Sequence, residues 1–282
     1  MQRIIKTIEG MSTRHGMERV FRDWVECMAI SIANGATLKG SKLWERREKR
    51  YMDIARMYGD EHDKFSEMFA YLIEIFEENP YQDALGKIYM QMGMGNGTTG
   101  QEFTPYHIAD CMARVSIDSV DLSRRPIRLN DCAVGGGVTM IAALSVLKER
   151  GINWQRDAII VAQDIDAVCC HMAYVQLSLI GARAVIEQRN TLSMELFDTW
   201  ISPMESMGLW ALQPRKTEAT IFPDSEKRSD AISELIEPVE SHKTVQTCAN
   251  TSDVENATQG NPEPITDARR KHGTQASLFD LL

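Results

Sequence analysis

The sequence predicts an α/β protein with an N-terminal helical region, a partial parallel sheet and a disordered C-terminal tail. Three observations carry this. Apolar residues recur at helical spacing through roughly the first hundred positions. Short apolar runs then alternate with helical patterns in the order βαβαβ, which calls for a parallel sheet with right-handed crossovers. After Leu212 the composition turns polar. The boundaries fall at 1–97, 98–212 and 213–282.

Within residues 14–34, Val20, Phe21, Trp24, Val25, Met28 and Ile32 line one helical face, and Asn34-Gly35 supplies a stop. The next helical stretch, "KLWERREKRYMDIARMYG", carries a basic patch of Lys42, Arg46, Arg47, Lys49 and Arg50. A solvated helix face competes with phosphate contact as its reading. A third helix, "DKFSEMFAYLIEIFEEN", ends at Asn79-Pro80, and "YQDALGKIYMQMGMGNGTTG" starts helical and runs into glycines. Then come a helix from "TPYHIADCMARVSI", strand "IRLND", a glycine loop and helix "MIAALSVLKERG". Strand "AIIVAQDID", helix "AVCCHMAYVQLSLIG" and strand "ARAVIEQRN" follow. Residues 213–274 are rich in Glu, Ser, Thr, Pro, Asn and Gln, and cannot bury enough apolar surface to offset their ordering entropy. Only "DAISELIEPV" in that stretch reads as a transient helix.

The net charge of −9 makes the chain as a whole repel polyanions, so nucleic-acid contact needs a local basic face or a partner. Six cysteines lie scattered without a CxxC pair, which speaks against a zinc site or disulfide framework and for a reducing, cytoplasmic setting. No run approaches the length of a membrane span, and no export signal is expected.

The stretch "LNDCAVGGGVTM", residues 129–140, puts glycines between a strand and a helix, where a ligand can approach the backbone and meet free N–H groups. A P-loop lysine is missing, and Met140 stands where a dinucleotide fingerprint needs its third glycine. S-adenosylmethionine is the third candidate. It is held by strand–loop–helix units with one acidic residue ending each of the first two strands, and Asp131 and Asp164 hold those positions. A purely structural turn is the competing reading of the glycines.

Upstream, "GQEFTP" at 100–105 precedes a helix; "DCAVGGG" at 131–137, "AQDID" at 162–166 and "RNTL" at 189–192 follow, with "DALG" at 83–86 as a lead-in. In this order the motifs resemble the adenine-specific DNA methyltransferases related to the methylation subunit of type I restriction–modification systems, found in bacteria and phages. The resemblance covers roughly residues 80–192. It implies a partial Rossmann-like S-adenosylmethionine-dependent methyltransferase sheet. Phe103, Thr104 and Pro105 would wrap the methionine end of the cofactor, and Asp131 would hold its ammonium. Ala133, Gly135 and Gly137 would give backbone room, Asp164 would bind the ribose, and Asn190 would face the adenine. Thr104-Pro105 also reads as an ordinary helix cap with proline in the first turn. DNA and a specificity or second methyltransferase subunit are the implied partners.

The family also carries Asn/Asp-Pro-Pro-aromatic after its fourth strand, to accept hydrogen bonds from the target amine and stack the extracted base. Here "SMELFDTWISPMES" follows Leu192, and neither an apolar strand nor the tetrapeptide is read in it. Asn261-Pro262 lies in the polar tail. Phe197, Trp200, Trp210 and Phe222 could stack a base, although core packing competes. The parallel sheet is expected to stop after three strands, so no catalytic residue is assigned. Two readings follow: a modification methyltransferase completed by a partner, or a relic that binds cofactor or DNA in a regulatory or protective role.

The chain ends in "TQASLFDLL", an apolar cluster after a polar stretch. Its "QASLF" resembles the bacterial sliding-clamp-binding pentapeptide, which would make Gln275, Leu278 and Phe279 partner-binding residues. A C-terminal helix capping the protein's own core is the alternative.

Overall fold

Gly16, with φ of 80°, separates α1 (Gln2–His15) from α2 (Met17–Ala36), so the helix read from position 14 begins at 17. A left-handed backbone cannot continue a helix, and here glycine adopts it without steric cost. The computed structural model describes residues 1–94 and 103–212. Asn34-Gly35 does not stop α2. α2 ends one residue later, at Ala36, and the Asn34 carboxamide donates to Glu48 Oε2 at 3.1 Å, on α3 (Lys42–Tyr58). Ser41 caps α3 by accepting from the Trp44 N–H, and α4 (Asp63–Glu78) ends before Asn79-Pro80 as expected. Next comes α5 (Ala84–Gln91), capped by Asp83.

The chain continues through α6 (Tyr106–Asp118), β1 (Ile127–Asp131), α7 (Val138–Glu149) and a single turn, α8 (Trp154–Asp157). Then follow β2 (Ala158–Asp164), α9 (Ala167–Leu179) and β3 (Ala184–Asn190). β1, β2 and β3 pair in parallel, in that order. Two right-handed crossovers in the same direction set α7 and α9 on one face of the sheet. α2 packs on α9, so the helical region is an outer layer over the sheet helices. One hydrophobic core runs from Ile4 through Trp24, Leu85 and Ile141 to Trp200. The described residues on both sides of the expected 97/98 boundary belong to one packed unit, and the boundary itself lies outside the described residues.

The parallel part of the sheet stops after three strands, as expected, but the sheet itself continues. β4 (Glu195–Ile201) pairs antiparallel with β3 at the outer edge, with a bulge where Gln188 faces Asp198 and Arg189 faces Leu196. It is hard to read in the sequence because Glu195, Leu196 and Phe197 are exposed and Trp200 alone is buried. The basic patch on α3 braces this edge. Arg47 donates to the Thr199 carbonyl at 3.0 Å with its guanidinium 4.1 Å from the Trp200 ring centre. Arg46 pairs with Asp198 at 2.9 Å, and Arg50 grips Glu26 through both oxygens. Three of the cations offered as phosphate contacts are thus engaged within the fold. After β4 comes the short helix α10 (Pro203–Ser206). No described helix is long and apolar enough to cross a membrane.

Candidate cofactor site

β1 and β2 end side by side in Asp131 and Asp164, and the glycine loop folds over both ends. Asp131 is 3% exposed and Asp164 is 8% exposed. The Asp131 carboxylate accepts the Ala133 N–H at 3.0 Å and the Thr139 hydroxyl from the first turn of α7, where the helix dipole favours an anion. Asp164 accepts the Gly135 N–H on one oxygen and the Asp166 N–H on the other, both at 2.9 Å. The loop is also tied to β2 by Val134 N–H to the Gln163 carbonyl, and to the end of β3 by the Thr191 hydroxyl to the Cys132 carbonyl.

The three glycines are close-packed against protein. Gly135 and Gly137 have φ of +53° and +98°. A Cβ on Gly135 would lie 3.2 Å from the Phe103 ring, and one on Gly137 would lie 3.3 Å from the Ala173 Cα of α9. At Gly136 the neighbours are the Asp83 carboxylate and the Gly86 Cα. The structural reading of the loop therefore holds, beside whatever ligand it takes. Phe103 also stacks near Tyr89, with ring centres 5.3 Å apart, so it roofs the loop from the α5 side.

The remaining expected residues are placed as follows. Pro105, not Thr104, holds the cap position of α6, and neither side chain makes a capping bond; the Pro105 carbonyl takes the Ile108 and Ala109 N–H groups. The Asn190 side-chain oxygen accepts from the N–H groups of Leu192 and Ser193 and shapes the β3–β4 turn. Trp200 is buried against Tyr174, His171 and Arg47, and Trp210 covers the Arg183 guanidinium at 3.9 Å. Neither is presented as a base-stacking surface. Residues 98–102, Phe222, Asn261-Pro262, "DAISELIEPV", Gln275, Leu278 and Phe279 lie outside the described residues.

Sequence reading missed a buried clasp. Gln176 of α9 is fully buried. Its Nε2 donates to Asp83 Oδ1 at 2.8 Å and to the Gly136 carbonyl at 2.6 Å, while its Oε1 accepts the Leu85 N–H at 3.0 Å. Asp83 also accepts the Gly86 N–H at 2.8 Å. The start of α5 is thereby locked onto the glycine loop. The available signal was a glutamine amid the apolar run of α9.

Burial holds the carboxyls of Asp131 and Asp164 above the usual carboxylate range, against the pull of their hydrogen bonds. The neighbouring Asp166 and Asp131 carboxylates push Asp164 further the same way. Such a carboxyl binds its proton more tightly folded than unfolded, so its share of stability falls as pH rises through its folded value. Asp131→Asn tests this, because the Thr139 hydroxyl can reverse to accept from the new amide. At neutral pH the variant should unfold no more easily than wild type in urea. As pH falls below neutral, wild type should gain on it. A gap that does not change with pH would show that Asp131 is not held above its ordinary range.

No protein-family model, curated protein or solved structure matches the chain.

Two buried carboxylates flank a glycine turn, without a cation of the protein's own, and can accept an ammonium group and hydroxyls from a ligand.

Proposed function

We propose that the glycine loop and the ends of β1 and β2 bind S-adenosylmethionine, and that the chain is a partial Rossmann-like member of the adenine DNA methyltransferase class that does not transfer the methyl group alone. The observation that carries the reading is the pair of buried carboxylates, Asp131 and Asp164, ending adjacent parallel strands around one glycine loop. An uncompensated buried carboxylate is costly, and a cationic ligand offsets that cost. Asp131 would take the ammonium and Asp164 the ribose hydroxyls. Phe103, Thr104 and Pro105 would close over the methionine end beside Ala133 and Gly135, while the space at Gly137 is taken by Ala173 of α9. The Asn190 oxygen is taken by its own turn, which leaves the amino group as the part able to face the adenine.

The absence of transfer is argued from direction. β4 runs antiparallel, so the residues after it return to the amino end of the sheet, away from Asp131 and Asp164. There Ser202 is buried, donating to the Ala182 carbonyl and accepting the Ala184 N–H, and Glu205 pairs with Arg183 at 2.7 Å. Ser202-Pro203-Met204-Glu205 is therefore bound up in the fold where the family carries its base-accepting tetrapeptide. The reading calls for DNA, a specificity or second methyltransferase subunit, and a sliding clamp on Gln275, Leu278 and Phe279 as partners. A regulatory or protective relic is the form it takes if no partner restores transfer.

Calorimetry with S-adenosylmethionine should show binding, weakened by about 1.5–3 kcal/mol in Asp164→Ala, the scale of hydrogen bonds to a charged group. No tritium should pass from the cofactor to plasmid DNA with this chain alone. Absence of binding by wild type removes the cofactor reading; transfer by the chain alone removes the claim that it cannot act unaided.

A further inference from the structure

β1 is the end strand of the parallel series, and its second edge is open. Alternate residues of a strand turn their N–H and C=O groups to opposite edges, so only part of the Ile127–Asp131 backbone can reach β2. Among the described residues no loop backbone bonds to the rest, and the elements packed most closely on β1 are β2 and α7. The far edge of the sheet is blunted by comparison. β4 is bulged opposite Arg189, and the Arg47 guanidinium donates to the Thr199 carbonyl. Bulges and covering side chains both keep a strand from adding to an edge. β1 pairs with β2 without a bulge and contains no proline.

Strand order says what the edge takes. β1, β2 and β3 follow one another across the sheet, so the order never reverses within the parallel part. In open α/β sheets ligands lie beyond the carboxyl ends of strands at the point of reversal. Asp131 and Asp164 stand at carboxyl ends, and Asp131 belongs to the end strand, so a reversal there falls on the open edge of β1. Asp131 is buried toward α7, while Arg128 and Asn130 alternate with it and are exposed on the other face. A crossover of the reversed series lies on that other face. We propose that a different polypeptide adds a strand parallel to β1 at this edge and closes the open side of the site. A parallel strand ends beside Asp131, the end from which β4 leads away. Residues following it can therefore bring a base-accepting tetrapeptide to the site. Two copies of this chain meeting through β1 about a two-fold axis would run antiparallel and set their Asp131 ends apart, leaving both sites open. The contact itself is independent of the ligand; what the completed site holds rests on the S-adenosylmethionine reading.

A photo-cross-linking amino acid at Arg128 or Asn130, in the full chain expressed in the cells that encode it, tests the edge. Both side chains are exposed, so the fold tolerates the change. Each position should link to the same other polypeptide. The residue linked from 130 should lie about two positions C-terminal to the one linked from 128, the order a parallel strand requires. In the purified chain, outward-facing β1 amides should exchange roughly a hundredfold faster than those bonded to β2. Links in the reverse order, links to this chain's own sequence, no link from either position, or uniform protection of β1 in the purified chain would each overturn the proposal. Calorimetry with S-adenosylmethionine on the same protein keeps the two readings apart. Cofactor binding without a link removes the partner strand alone, and ordered links without cofactor binding support the strand while removing the cofactor.

Discussion

Gly137→Val is expected to destabilise the protein by about 2–5 kcal/mol, whereas Gly135→Val should cost less and abolish ligand binding. The two glycines lie two positions apart, share a left-handed backbone, and differ in what stands over them. A Cβ on Gly137 would press on the Ala173 Cα, which is helix backbone packed on β3 and unable to yield. On Gly135 it would press on the edge of the Phe103 ring, a side chain that can swing aside. The strain at Gly137 therefore spreads into α9 and the core, while that at Gly135 is released by moving Phe103 into the space a ligand needs. Urea midpoints and calorimetry separate the two effects. If Gly137→Val unfolds like wild type, the loop is not wedged against α9.

The parts of this fold that were legible in the sequence are those whose signal is local. The α3 and α4 faces, the glycine loop and the alternation of β1, α7, β2, α9 and β3 each follow from periodicity and turn chemistry within a dozen residues. The features that escaped depend on distant partners. Arg46 and Arg47 read as a solvated or phosphate-facing patch until β4 supplies Asp198, Thr199 and Trp200 beside them. β4 itself is an edge strand with one buried side chain, so neither alternation nor an apolar run announces it. In the candidate site, Asp131 and Asp164 were readable as strand-end carboxylates. Their burial, and the enclosure of the glycines by Phe103, Asp83 and Ala173, belong to the tertiary structure alone.

The clasp through Gln176 shows how much of the site rests on such contacts, and Gln176→Leu should cost about 3–5 kcal/mol. The substitution is close in volume and keeps α9 helical, so little of the loss comes from packing. It removes an acceptor from the Leu85 N–H, and a donor from both the Gly136 carbonyl and Asp83, all of them buried. Each stranded group costs about 1–3 kcal/mol, and Asp83 is the most exposed to the loss, because burial already holds its carboxyl above the usual range. Gln176→Glu makes the cause visible. It keeps an acceptor for Leu85 but sets a second carboxyl against Asp83, so one of the two must hold a proton for the clasp to close. That variant should be weak at neutral pH and should recover, relative to wild type, as the pH falls. Leucine at the same position should show no such recovery beyond the share of Asp83 itself. Should Gln176→Leu unfold within about 1 kcal/mol of wild type, the net worth of an ordinary hydrogen bond, the glycine loop is held by its own turn and α5 is not clasped to it.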